Sequence, residues 1–120
     1  MNMEHNFKKS LSLNDRKNQC HSLLIKNPNR IPVILEKDSK SKINIIKKSK
    51  FLIQKDISVN QFIKMIRDLM QIDEYEALFF VVKGKYSISG DKTMGQIYSN
   101  YKDKEDGFLY ITYSSELIFG

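Results

Sequence analysis

Apolar residues fall into short blocks whose spacing alternates between that of a helix and that of a strand. Leu13, Cys20 and Leu24 recur at i, i+7 and i+11, one face of a helix that Ser12 or Asn14 would cap and Asn27-Pro28-Asn29 would end. The first 29 residues therefore read as a helical extension. Ile31, Val33 and Leu35 alternate with Pro32 and Ile34, so Arg30 to Glu36 reads as a strand. Pro32 has no N–H to give a ladder, which makes its place an edge, a bulge or an end. Lys37 to Lys48 is a charged connection, and Lys50-Phe51-Leu52-Ile53 is a second short strand.

The sharpest local signal follows. Ser58 with Gln61 three residues on is a capping box. Val59, Phe62, Ile63, Ile66, Leu69 and Met70 then lie at i, i+3, i+4, i+7, i+10 and i+11, an apolar stripe read as the core face of a helix. Ala77 to Val82 is a continuous apolar run, read as a strand buried on both faces. Lys83-Gly84-Lys85 turns, and Thr93 to Asn100 is a short helix. Gly107 leads into Phe108-Leu109-Tyr110-Ile111-Thr112-Tyr113, aromatic and β-branched as strands are. The order after residue 29 is β-β-α-β-α-β. A hairpin, a helix across the sheet and a last strand beside the first would make the β-grasp fold of ubiquitin, one of several α+β arrangements the pattern allows.

Length and composition narrow the class. At 120 residues, 41% hydrophobic and 28% charged, the chain suits one soluble globular domain. It has no run of 18 apolar residues and no apolar segment behind Met1 to His5 that would make a secretory signal. Asn2 stands where myristoylation needs glycine, and no cysteine stands where prenylation needs one. A single cysteine fits a reducing compartment, so a cytoplasmic protein is expected. Charge is uneven: residues 1–55 hold 13 Lys/Arg against four acids (+9), and residues 56–120 hold seven against 10 (−3). The basic half would meet acidic partners, nucleic acid or anionic lipid, or simply face solvent.

Catalytic chemistry is not evident. His5 and His21 lie far in sequence from any carboxylate cluster, and His21 beside Cys20 would point about 100° away on a helix. Cys20 reads as a small core residue. Gly84 and Gly90-Asp91-Lys92-Thr93 echo a phosphate loop with the wrong spacing, and Asp73, Glu74 and Glu76 lack a catalytic partner. No metal-ligand spacing occurs, so neither an enzyme nor a metal or other cofactor is expected. The chemistry on offer is at Gly120. An unhindered glycine carboxylate can be adenylated, passed to a thiol as a thioester and attacked by an amine.

These blocks, in this order, resemble the autophagy ubiquitin-like modifiers, GABARAP and its relatives. The resemblance rests on Arg30-Ile31-Pro32-Val33-Ile34 with Glu36-Lys37, then Lys50-Phe51-Leu52-Ile53 and Val59-x-Gln61-Phe62 with Ile66-Arg67. Ala77-Leu78-Phe79-Phe80-Val81-Val82, Met94-Gly95-Gln96-Ile97-Tyr98, Asp106-Gly107 through Ser114, and Phe119-Gly120 continue it from about residue 13 onward. It implies an α+β protein with two N-terminal helices (1–29), a ubiquitin-like β-grasp core (30–114) and a flexible conjugation tail (115–120).

The resemblance also implies two functions. Gly120 would be joined to phosphatidylethanolamine by activating and transfer enzymes, either encoded ready for activation or exposed by trimming, with a processing and delipidating cysteine protease as a further partner. The second strand would accept aromatic-x-x-aliphatic peptides of cargo receptors and adaptors at an exposed edge. The aromatic pocket would be Gln19, Leu23, Pro32, Lys50, Leu52 and Phe108, and the aliphatic pocket Phe51, Ile53, Ile57, Phe62, Met65 and Ile66. Lys48 and Lys50 would meet acidic residues flanking the motif. The protein would be cytoplasmic, and on autophagosome or vesicle membranes when lipidated.

Departures from the family pattern bear on partner preference. Gln19 replaces a usual glutamate, Gln54 a proline, and Leu69 a basic residue. The segment from Val82 to Thr93 lacks paired prolines, and Lys102 to Asp106 is longer. Competing readings are a ubiquitin-like interaction module that is never conjugated, and a basic protein that binds microtubules or nucleic acid. No specific nucleic-acid motif is present.

Overall fold

The hydrophobic pattern resolves into nine elements in a computed structural model that describes residues 6–117. They are α1 (Asn6–Ser10), α2 (Leu13–Lys26), β1 (Arg30–Lys37), β2 (Lys50–Gln54), α3 (Val59–Met70), β3 (Phe79–Val82), β4 (Tyr86–Ile88), α4 (Met94–Tyr101) and β5 (Leu109–Ser114). The strands form one sheet in the order β2-β1-β5-β3-β4. Only β1 and β5 run parallel.

Alternation along the strands gives the sheet two working faces. On one, Ile31, Val33, Leu35, Leu109, Ile111 and Tyr113 join Val59, Phe62 and Ile66 of α3 in the main core. On the other, Ile34, Phe108 and Tyr110 pack with Cys20 of α2, with Phe7, Leu23 and Leu24 against them. Helices therefore cover both sides. The fold is α+β, a ubiquitin-like sheet with two added N-terminal helices.

Caps set the helix starts. Of the two candidates before α2, Ser12 is the cap, its hydroxyl accepting the Asp15 N–H. The Ser58–Gln61 box is formed in full at α3. A second box, Thr93 with Gln96, starts α4. Each such cap contributes about 1 kcal/mol.

Several expectations are corrected. The apolar run Ala77 to Val82 is a strand only from Phe79, and it is not buried on both faces: Phe80 and Val82 are buried while Phe79 and Val81 are half-exposed. A helix covers one side of this strand, and little covers the other. The strand β4 was not expected, because Tyr86-Ser87-Ile88 is too short to show a period, so the true order after residue 29 is β-β-α-β-β-α-β. Leu69 is 61% exposed, since the last turn of α3 outruns the part of the stripe carried by Val59, Phe62 and Ile66. Leu13, at the first turn of α2, is 38% exposed and does not share the burial of Cys20.

Pro32 is accommodated without a bulge. Leu35 N–H donates to the Ser49 carbonyl and Lys55 N–H to the Asn29 carbonyl, which makes Ile31–Ile53 and Val33–Phe51 the hydrogen-bonded pairs of the β1·β2 ladder. Pro32, opposite Leu52, therefore turns its nitrogen away from β2. The β5 ladder on that side begins only at Val33, so no ladder bond is lost.

A buried ion pair fastens the N-terminal helices to the segment before β5. Arg16 Nε lies 2.9 Å from Asp106 Oδ2, whose side chain has no exposed surface. The same carboxylate accepts the Phe108 N–H at 2.9 Å and the Tyr110 hydroxyl. Arg16 also donates to the carbonyls of Lys8 and Leu11, and Lys8 pairs with Asp103 at 2.8 Å. Burial opposes the charge on Arg16, but the hydrogen bond and charge of Asp106 outweigh it and raise its pKa. Burial, then the bond to Asp106, raises the Tyr110 phenol, which stays a donor.

Cys20 sits behind this cluster. Gly107, at φ +88°, passes so close that a Cβ there would lie 2.8 Å from the Cys20 sulfur. Burial pushes the thiol up to about 11, although its hydrogen bond with Tyr98 opposes the shift. Thiol reagents should therefore modify native Cys20 about a hundredfold more slowly than the urea-unfolded chain at the same neutral pH. Equal rates in a colorimetric thiol assay would contradict this placement.

Candidate functional site

The edge strand β2 is where the sequence-predicted site residues converge. Among the described residues no strand pairs on its outer side. Because Phe51 and Ile53 spend their backbone groups on β1, those of Lys50 and Leu52 point outward. Side chains alternate in the opposite sense. Phe51 and Ile53 turn toward α3, and Lys50 and Leu52 turn toward the α2 side with their partners Ile34 and Pro32.

The expected aromatic pocket is thus assembled on the α2 face. Phe108 and Pro32 are buried, and Leu23, Leu52 and Gln19 are half-buried. Lys50 Nζ donates to Gln19 Oε1 at 3.1 Å, bridging β2 to α2 over this cluster. The acceptor is a neutral amide, so the ammonium charge is not cancelled there.

The expected aliphatic pocket lies on the other face. Phe62 and Ile66 are 0% exposed, and Phe51 and Ile53 are buried with them. They can serve only as a floor. Ile57 packs half-buried against the core, and Met65, at 45% exposed, stands on the rim. Phe51 and Phe62 meet edge to face with centroids 6.3 Å apart, and Lys48 Nζ lies 5.0 Å from the Phe51 centroid. The two basic side chains Lys48 and Lys50 therefore belong to different faces of the same edge.

One residue near the site was not foreseen. Phe7 of α1 packs 5.0 Å from Phe108, and Lys50 Nζ lies 5.8 Å from its ring. It closes the inner wall of the aromatic cluster. A lone phenylalanine in a polar N-terminal stretch was the available signal. Gly120, expected as the point of conjugation, lies outside the described residues, as does Phe119. Among the described residues, no group of three His, Cys, Asp or Glu side chains is placed to hold a metal ion, and no helix is long and apolar enough to cross a membrane.

Known proteins share both this sequence and this architecture. The family model described as autophagy protein Atg8, ubiquitin-like, matches residues 15–120. Autophagy-related protein 8e of Arabidopsis thaliana is 40% identical over 120 residues, covering all of this chain and 97% of that protein. Human microtubule-associated protein 1 light chain 3 gamma is 37% identical over 115 residues, covering 95% of this chain and 78% of that protein. The crystal structure of Trypanosoma brucei ATG8 matches with a TM-score of 0.87 at 34% identity, covering 98% of this chain and 99% of that chain. Sequence and architecture agree over nearly the whole length, and the chain belongs to the Atg8 family of ubiquitin-like autophagy proteins, which are modifiers rather than enzymes.

Proposed function

We propose that this protein is conjugated through the Gly120 carboxyl to phosphatidylethanolamine, and that β2 docks aromatic-x-x-aliphatic peptides of cargo receptors and adaptors. The observation that carries the docking reading is an open strand edge with one apolar cluster on each face. A peptide added as a strand presents residues i and i+3 to opposite faces, because an odd separation crosses the sheet. An aromatic then meets the Leu52–Phe108 side, and an aliphatic residue three positions on meets the Phe51–Phe62 side. Lys48 and Lys50 supply charge for acidic flanks.

Family membership, with Phe119-Gly120 inside the matched residues 15–120, supports conjugation. Two acyl chains at about 0.8 kcal/mol per buried CH₂ hold a soluble domain firmly to a bilayer. Residues 1–29 would brace the core, 30–114 would carry the docking edge, and 115–120 would form the tail. Activating and transfer enzymes would act on that tail, with a cysteine protease to trim and release it. The protein would divide its time between cytoplasm and autophagosome or vesicle membranes. Microtubule binding through the basic N-terminal helices is a second reading, favoured by the name of the human relative.

Mass analysis of the C-terminus, on protein recovered from membranes of its own cells, tests the conjugation. Gly120 should carry phosphatidylethanolamine, and deleting Gly120 should abolish the membrane-bound form. A free carboxyl while the conjugation enzymes are active would leave a docking module alone.

A further inference from the structure

The loop between β1 and β2 carries a surface that docking along β2 leaves unused. It exposes Lys40, Lys42 and Lys47, and adjoins Lys48 of the docking edge, against one acid, Asp38, whose carboxylate is already engaged by the Lys40 N–H. None of the ion pairs among the described residues involves these lysines. In their midst Ile45 is 74% exposed.

That exposure is held in place. Ile43 is buried in the main core on one side of Ile45. On the other, the Ile46 N–H donates to Tyr113 Oη at 2.7 Å, and the same hydroxyl donates to the Asn44 carbonyl at 3.2 Å. The loop is thus pinned on both flanks, with its one outward apolar side chain between lysine pairs.

The loop also lies at the root of the tail. The Asp38 N–H donates to the Tyr113 carbonyl, and the Ser115 N–H donates to Ser41 Oγ at 3.2 Å. The five chain steps from Ser115 to Gly120 span at most about 17 Å. A lipid joined there brings this loop to the bilayer.

We propose that the β1–β2 loop contacts anionic membrane, its lysines on the headgroup phosphates and Ile45 entering the headgroup boundary. Lysines near such a surface are attracted by its negative potential, and a single apolar side chain adds to binding when it leaves water. The proposal deepens the conjugation reading, on which its biological setting rests, by naming the lipid charge that the anchored domain prefers. An acidic protein would equally suit the lysines, but it would not account for a lone isoleucine fixed outward beside the tail.

The test uses the unconjugated full chain, without conjugation enzymes, floated with phosphatidylcholine vesicles containing or lacking phosphatidylserine. Binding should require phosphatidylserine and weaken with salt. Lys42→Ala and Lys47→Ala should each weaken it about fivefold, and Ile45→Ser roughly tenfold, with affinity for a β2-docking peptide unchanged. Equal binding to both vesicle types, or an Ile45→Ser variant as good as the parent, would overturn the proposal. Binding of a poly-glutamate peptide with no vesicle binding would overturn it in favour of an acidic protein partner. Since nothing is conjugated in this assay, its result and the mass of Gly120 in cells can fail independently.

Discussion

Asp106→Ala is expected to remove about 3–5 kcal/mol of folding stability, the cost of breaking a buried ion pair from one side. The substitution leaves Arg16 charged, 12% exposed and without its carboxylate. It also strips the Phe108 N–H and the Tyr110 hydroxyl of their acceptor, and each buried orphan adds to the loss. In a chain of this size the melting temperature should fall by roughly 10–20 °C. Asp106→Asn keeps an acceptor for the Phe108 N–H but loses the charge, so it should fall between. Replacing both members with apolar residues, Arg16→Met with Asp106→Leu, should recover the part of the deficit due to the stranded charge, while the Phe108 N–H and the Tyr110 hydroxyl stay without their acceptor. Urea titrations of the four proteins decide it. A single Asp106→Ala within 1 kcal/mol of the parent would mean that the network contributes little.

Leu52→Asp should weaken binding of an aromatic-x-x-aliphatic peptide about a hundredfold while leaving the domain folded. The choice of residue matters. Ile53 is 4% exposed and Phe51 7%, so charging either would attack the core. Leu52 is half-buried, and its side chain lies on the α2 face away from Phe62 and Ile66. A carboxylate there meets the incoming aromatic ring and repels the acidic residues that Lys48 and Lys50 would hold. A peptide lengthened by one residue between its anchors should fail similarly, since both side chains would then point to one face. Calorimetric titration, with circular dichroism as the check on folding, reads both. If the charged variant or the lengthened peptide bound with unchanged affinity, strand addition at β2 would be wrong.

Long periodic elements were legible in the residues themselves. The capping box at Ser58 and the stripe behind it located α3, because cap chemistry and a 3.6-residue period agree over several turns. What the pattern missed depends on tertiary context. Phe79 and Val81 read as buried because apolar type says nothing about whether a helix covers the second face. The strand at Tyr86–Ile88 exists because β3 gives it a partner, not because its residues announce it.

The candidate site was legible only through family resemblance. Nothing in the spacing of Gln19, Lys50 and Phe108 brings them together; the sheet order does. Arg16 and Asp106 are 90 positions apart, and no local pattern could have paired them.

The parallel pairing of β1 with β5 has a consequence for how the chain becomes a protein. Val33 and Leu109 are register partners although the whole β2-to-α4 segment separates them. Their meeting closes a long loop, whose entropy must be paid before the contact returns anything. Without β5 the sheet falls into two separate hairpins, β1–β2 and β3–β4, each too small to persist alone in water. The segment bearing the tail is therefore also the keystone of the sheet, and a cut before Leu109 would dissolve the docking edge at β2.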